Sequence, residues 1–301
     1  MIRIFITAFA ALAGLAFGSF LNVCLSRWPA GESIVKPRSH CRNCGRTLTW
    51  WENIPLLSWL ALRGHCRTCK NPISWRYPAV EFAIGALWAV NAWHYSFAAR
   101  YVDLSYLTLP VLIVCFLGPF TFLWLLVALA ALDAENFWLP DKLTLPGIFG
   151  GVFVAALYGY FFAGSIVTPI TLKNFFISPS MLSFWRDRFM EILAAALLVL
   201  AIRGLYWLLR RREGIGLGDA KLMAMLAAWL GLPGALLSFA IGVILGAIVG
   251  IIVLARGQRA GAENPALARL PLGTFLCIGG IISSLWGQPI IAAYMRYTGF
   301  N

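Results

Sequence analysis

The chain has 301 residues, of which 60% are hydrophobic and 12% charged, and its mean hydropathy is +0.79. Soluble domains are about 45–50% apolar, so this composition excludes an ordinary soluble globular protein and predicts an all-α polytopic membrane protein. A net charge of +12 would suggest nucleic acid as a partner in a soluble chain. Here the basic residues gather in short clusters that the positive-inside rule explains, so the lipid bilayer is the expected partner and nucleic acid is not.

In chain order, the first apolar run extends from Ile4 to about Leu25. It is too long for a signal-peptide core and lacks a small-residue cleavage site, so a retained span over 1–26 is expected. Residues 27–78 follow as a hydrophilic module containing nine Lys and Arg between Arg27 and Arg76. Further spans are expected at 79–98, 107–132, 143–164, 189–210, 219–231, 234–255 and 271–291, about eight in all. The sixth is short and ends at Gly231-Leu232-Pro233-Gly234, a turn signal. It therefore crosses only partly or pairs with the seventh as an uneven hairpin.

Arg210, Arg211 and Arg212, then Arg256, Arg259 and Arg269, fall on the same side as the 27–78 module when these spans are drawn. The expected topology has both termini outside and that module in the cytoplasm. Residues 79–301 form the remaining membrane core. The segment from Gly164 to Arg188, rich in Pro, Ser and aromatics, is expected as an outer loop. No internal repeat, low-complexity tract or heptad array is expected.

Seven cysteines occur, four of them as Cys41-Arg42-Asn43-Cys44 and Cys66-Arg67-Thr68-Cys69. Two CxxC pairs fit a structural Zn²⁺ held by four thiolates, because the two-residue gap lets a tight knuckle present both sulfurs to one ion. Two disulfides or unpaired thiols are the alternative. A reducing cytoplasm disfavours disulfides, and about fifty residues with little aliphatic content cannot build a self-sufficient core, whereas a structural metal contributes on the order of 10–16 kcal/mol in small zinc modules. Cys24, Cys115 and Cys277 lie in apolar runs and read as core residues. His40 and His65 flank the cysteine pairs as loop histidines.

Two aspartates carry the strongest functional signal. Asp133 and Asp219 stand at the ends of apolar segments, in LDAENFWLPDKLTLP and GIGLGDAKL. An acid near a bilayer core costs about 2.5–3.5 kcal/mol on insertion scales, which makes such residues functional candidates. Together they fit an aspartyl protease dyad, in which one ionised carboxylate deprotonates water and one protonated carboxyl donates to the peptide carbonyl. Asp219 follows Gly216 and Gly218, which give backbone freedom and room for a substrate strand; the alternatives are an N-cap role or a nucleotide cradle, the latter without the strand that it requires.

Helix polarity favours the anion at Asp219, by a helix N-terminus, and the acid at Asp133, by a helix C-terminus. Glu135 and Asp141 share the turn after Asp133, and Lys221 follows Asp219. Each has a structural reading as a solvated, capping or pairing residue. His40, His65 and His94 form no HExxH pair, and no serine sits in a GxSxG elbow.

Taken in order, Gly18-Ser19-Phe20-Leu21-Asn22-Val23, the four cysteines, Glu52-Asn53-Ile54-Pro55-Leu56-Leu57-Ser58-Trp59-Leu60, Arg76-Tyr77-Pro78 with Glu81, Asp133 with Leu139-Pro140-Asp141, and Gly216-Leu217-Gly218-Asp219 with Lys221 resemble the bacterial type IV prepilin peptidases over nearly the whole length. The resemblance implies a bifunctional enzyme of the bacterial inner membrane with Asp133 and Asp219 as its catalytic aspartates. Such an enzyme removes the basic leader of prepilins or pseudopilins after glycine on the cytoplasmic side. It then N-methylates the new terminal residue with S-adenosylmethionine, for which no motif here identifies a pocket.

Two features depart from the family pattern: Glu135 stands where many relatives have a second aspartate, and the 164–188 loop lengthens the stretch between the aspartates. Two other function classes compete, a proton-coupled transporter and a non-catalytic zinc-bearing assembly scaffold. Transport predicts acids near span centres, whereas both aspartates lie at span ends.

Overall fold

The computed structural model describes residues 1–98, 116–162, 181–211, 216–259 and 270–299. Among these residues the chain is helical, without strands apart from two isolated bridges. It divides into two compact units, Met1–Tyr106 and Leu107–Asn301.

The first unit contains α1 (Ile2–Arg27), a 3-10 turn at Trp50–Asn53, the short α2 (Leu57–Ala61) and α3 (Arg76–Ala98). Glycines set the crossing of α1 and α3. A Cβ at Gly14 would lie 2.9 Å from the Gly85 Cα, and one at Gly18 would lie 2.7 Å from the Glu81 Cα. Backbone therefore meets backbone, which is how helices associate where lipid is as apolar as leucine and close packing must supply the attraction. Asn22 Nδ2 donates to the Tyr77 carbonyl at 2.9 Å across this crossing.

At the end of α1 the buried Arg27 donates to the carbonyls of Ser33 at 2.8 Å and Pro37 at 2.7 Å. It thereby anchors the start of the hydrophilic module.

The second unit contains α4 (Gly118–Asn136), α5 (Asp141–Phe162), α6 (Met181–Arg210), α7 (Leu217–Arg259) and α8 (Leu272–Thr298). A straight helix as long as α7 would extend about 65 Å, twice a hydrocarbon core. It is not straight: Gly231 adopts φ 70, ψ 175, a conformation open to glycine and costly for other residues.

Contacts along α8 show that the chain reverses there. Gly218 and Gly273 both face Leu139, Gly280 faces Leu226 and Gly234 faces Ser283, so 217–230 runs parallel to α8. Beyond the break, Gly279 faces Ser238, Gly242 faces Leu276 and Gly250 faces Leu270, so that half runs antiparallel to α8. The turn signal at 231–234 thus makes a helical hairpin.

The core of this unit is built from Phe122, Leu126, Leu129 and Leu132 of α4, Leu222, Met223, Met225 and Leu226 of α7, and Leu276 of α8. Residues 222–228 are buried on every side, which makes the first half of α7 the central helix. Phe122 stacks on Trp229 with centroids 4.9 Å apart, and Trp229 Nε1 donates to the Gly147 carbonyl at 2.7 Å.

Among the described residues five helices are long and apolar enough to cross a membrane. They are α1, α4, α6 from Ser183, α7 to Ala255, and α8. Most of the outer-loop segment expected at 164–188, like Cys115, lies outside the described residues. Its last part, 181–188, is the start of α6. The reason is Arg188, which is buried, donates to the Ala227 carbonyl at 3.1 Å and pairs with Glu191 at 3.0 Å.

Candidate active site and metal centre

Asp133 lies one turn before the end of α4. The helix stops at Phe137, whose left-handed φ 52, ψ 39 turns the chain while its N–H caps the Asp133 carbonyl at 2.9 Å. Leu139-Pro140 then lead into α5, where the N–H groups of Leu143 and Thr144 donate to the Pro140 carbonyl. The Asp133 side chain is buried. Its Oδ2 accepts the backbone N–H of Thr274 at 2.7 Å, and the Thr274 hydroxyl lies 3.1 Å from the same oxygen and 3.1 Å from the Ala130 carbonyl.

Asp219 is in the first turn of α7 and is also buried. Its Oδ2 accepts the N–H of Gly216 at 3.1 Å, half of a capping box. Asp219 is thus at the third helical position rather than the N-cap weighed for it, and this bond leaves its other carboxylate oxygen free of that role. The two aspartates are close enough to act on each other through charge.

Leu139 explains the glycines around them. A Cβ at Gly218 would lie 3.1 Å from the Leu139 Cβ, and one at Gly273 would lie 2.9 Å from both Leu139 Cδ1 and Asp133 Oδ2. The leucine of the Leu-Pro-Asp turn is thus wedged between two glycines, one in the first turn of each of two helices that carry the site. Lys221 pairs with Asp141 at 2.6 Å, both partly exposed, and ties the start of α5 to α7. Glu135, two residues after Asp133 in α4, is exposed.

Sequence reasoning missed Thr274 and Gly273. The available signal was a glycine and a hydroxyl residue in Pro271-Leu272-Gly273-Thr274 at the start of an apolar run. They matter electrostatically. The Thr274 N–H is one of the unpaired first-turn donors of α8, so Asp133 faces the positive end of α8 as well as the negative end of α4. The polarity argument that made Asp133 the acid and Asp219 the anion therefore no longer separates them.

The four cysteines of the hydrophilic module come together with their sulfurs within 4.8 Å of one another, and Cys41 and Cys69 sulfurs are 3.8 Å apart. Sulfurs about 2.3 Å from a tetrahedral Zn²⁺ stand about 3.8 Å from each other. The donor set and spacing fit that ion, and the cysteines are free thiols rather than disulfides.

Two matching knuckles build the site. Cys41 N–H donates to Arg46 O and Cys66 N–H to Asn71 O, both at 2.9 Å, with return bonds from Gly45 to Cys41 and from Lys70 to Cys66. His40 bridges to Thr47 and His65 to Pro72. The sequence carries this as a repeated His-Cys-Arg-x-Cys, overlooked when no internal repeat was expected. Neither histidine replaces a ligand: His40 Nδ1 lies 3.0 Å from the Arg38 carbonyl, and His65 Nδ1 2.7 Å from that of Arg63.

The backbone N–H groups of Cys69 and Thr68 pull the Cys66 thiol down to about 6, and the Asn43 side chain lowers Cys69. These shifts favour the thiolate, the form that binds metal, at those two sulfurs, while Cys44, against the pull of the Arg46 N–H, is raised to about 11 by burial and the neighbouring cysteine thiols. Beside them Glu52 is buried, bonded in a fork by Arg46 at 3.0 and 2.5 Å and by the N–H and hydroxyl of Thr49. Arg46 first, then Thr49, hold its carboxyl at about 2.

Comparison with known proteins agrees with this division. Residues 12–95 match the model of the bacterial peptidase A24 N-terminal domain, and residues 120–251 that of the type IV leader peptidase family. A prepilin leader peptidase/N-methyltransferase from Stutzerimonas stutzeri is 32% identical, covering 96% of this chain and 93% of the relative. Another of the same name from Pseudomonas aeruginosa is 33% identical with the same coverage. One from Myxococcus xanthus is 36% identical over 88% of this chain and 68% of its own length. No solved structure matches significantly. Identity above 30% along nearly the whole length, with both halves matched, places the chain in the type IV leader peptidase family.

Proposed function

We propose that the chain is an intramembrane aspartyl endopeptidase that removes the basic leader of prepilins or pseudopilins after glycine, with Asp133 and Asp219 as its dyad. The observation that carries this reading is the pair of buried carboxylates, each held by one oxygen from a backbone N–H and acting on the other through charge. One carboxylate takes a proton from water, which adds to the scissile carbonyl. The other gives its proton to the carbonyl oxygen; on collapse of the tetrahedral intermediate the first acid passes its proton to the leaving amine and the second recovers one from the gem-diol hydroxyl. The pair titrates as a unit.

Substrate enters as a transmembrane helix whose end unwinds at the cytoplasmic interface, because a helix keeps its carbonyls hydrogen-bonded. Glycine beside the scissile bond eases that unwinding. The basic leader stays in the cytoplasm and sets the depth of the bond, as the same charge bias puts 27–78 on that side; counting α7 as two, about eight helices then cross the bilayer. The zinc module shapes the entrance. Four thiolates leave no coordination position for water, so the metal is structural.

The relatives' names carry a second activity, and the same enzyme N-methylates the new terminus with S-adenosylmethionine as methyl donor. A transporter has no use for a dyad at helix ends, and a scaffold none for a dyad at all. The test is incubation of detergent-purified protein with a prepilin and labelled S-adenosylmethionine, followed by N-terminal mass. Leader loss with label gain is the expected result. An intact leader would reject the reading.

A further inference from the structure

The first unit holds a buried carboxylate that leader cleavage does not use. Glu81 is 8% exposed, one and a half turns into α3 from the end that adjoins the zinc module. Its Oε2 accepts the backbone N–H of Leu56 at 2.8 Å, and Leu56 is held at φ 59, ψ −50 to make that contact, an outlying conformation for a leucine. The side chains of Ser19 and Asn22 of α1 also hydrogen-bond the carboxylate, as neutral donors rather than counter-charges. Asn22 is 2% exposed, gives Nδ2 to the Tyr77 carbonyl, and leaves a buried Oδ1 without a donor.

The remaining acids of this unit's described residues are accounted for, since Glu32 is exposed and Glu52 is neutralised by Arg46. One backbone N–H could be satisfied by any neutral acceptor, and capping Leu56 does nothing for the Asn22 oxygen. A buried carboxylate held by neutral donors stays costly without a counter-charge, and an orphaned amide oxygen is costly without a donor. A compact cation with several N–H groups, a primary ammonium, supplies both.

We propose that Glu81 and Asn22 receive the free α-amino group of the leader-less substrate and hold it for methyl transfer, a proposal that rests on the methyl-transfer reading above. Glu81 takes one proton from the ammonium and so frees its lone pair. The nitrogen then attacks the methyl carbon of a sulfonium donor. The N–C bond forms as the C–S bond breaks, sulfur leaves as a neutral thioether, and the positive charge passes to the methylated nitrogen. The proton on Glu81 returns to water. This places amine binding in residues 12–95 and peptide cleavage in 120–251, the two segments that separate family models match.

The test uses the full-length, zinc-loaded protein in detergent and a synthetic peptide with the mature pilin N-terminus, free or N-acetylated. Wild type is expected to bind the free amine at least tenfold more tightly than the acetylated peptide. Glu81→Gln and Asn22→Ser are each expected to erase that preference, and Glu81→Gln to lower methyl transfer at least a hundredfold while leader cleavage reports that the protein is folded. No preference in wild type, or a preference retained by both variants, overturns the proposal. Wild type that prefers the free amine yet transfers no methyl group would reject the methyl-transfer reading and leave the amine site standing. Should Glu81→Gln fail to cleave the leader, Asn22→Ser alone decides.

Discussion

Asp133 owes its position to a residue 141 places further along the chain, Thr274. The threonine hydroxyl has one proton and two acceptors in reach, Asp133 Oδ2 and the Ala130 carbonyl, so it couples the carboxylate to the last turns of α4. Thr274→Val keeps the backbone N–H and loses only the hydroxyl. It is expected to lower kcat for leader cleavage about fivefold with little change in KM, one hydrogen bond being worth about 1 kcal/mol, and Thr274→Ser should restore it. Glu135→Gln, by contrast, alters an exposed residue and is expected to leave substantial activity in the same assay; complete loss with normal folding would mean that the wrong acid of this turn has been chosen.

The two aspartates were legible because charge at the edge of an apolar run needs a reason. Thr274 was not, because a threonine at the start of a helix is unremarkable until its tertiary neighbour is known.

At the level of elements, close backbone approach recurs wherever helices must cross. Gly18 is an example, since an added methyl would lie 2.7 Å from the Glu81 Cα and backbone cannot step aside as a side chain can. Gly18→Ala is expected to force α1 from α3 and cost about 1–3 kcal/mol, read as a lower thermal midpoint.

In the zinc module the Glu52 carboxyl is held at about 2 against an ordinary value of 4.5, chiefly by Arg46. A lowered folded-state value stabilises fully above the ordinary value, and the contribution is lost as pH falls towards 2. At pH 7 Glu52→Gln is therefore expected to destabilise the module, seen as faster zinc release to a chelator. An unchanged release rate would show that the thiolates alone hold the module. The CxxC spacing made the metal site legible. The Arg46–Glu52 fork beside it was not, because neither residue type nor spacing marks a surface-looking pair as buried.

Over the whole molecule, hydropathy located nearly every helix, and the turn signal at Gly231 located the hairpin that makes α7 two helices. Residues 181–188 were read as loop because Arg186, Asp187 and Arg188 interrupt the apolar run. Burial of Arg188 against the Ala227 carbonyl turns one of those charges into a helix-packing residue. The second unit brings α4, α7 and α8 together at one end, where Leu139 spaces them and both acids are buried. If that end is the protease centre, neither acid can act without the other. The direct measurement is leader removal from a purified prepilin by Asp133→Asn and Asp219→Asn, each first shown to be folded and to carry one zinc. Loss of cleavage in both variants is the expected result, and substantial cleavage by either would contradict the dyad.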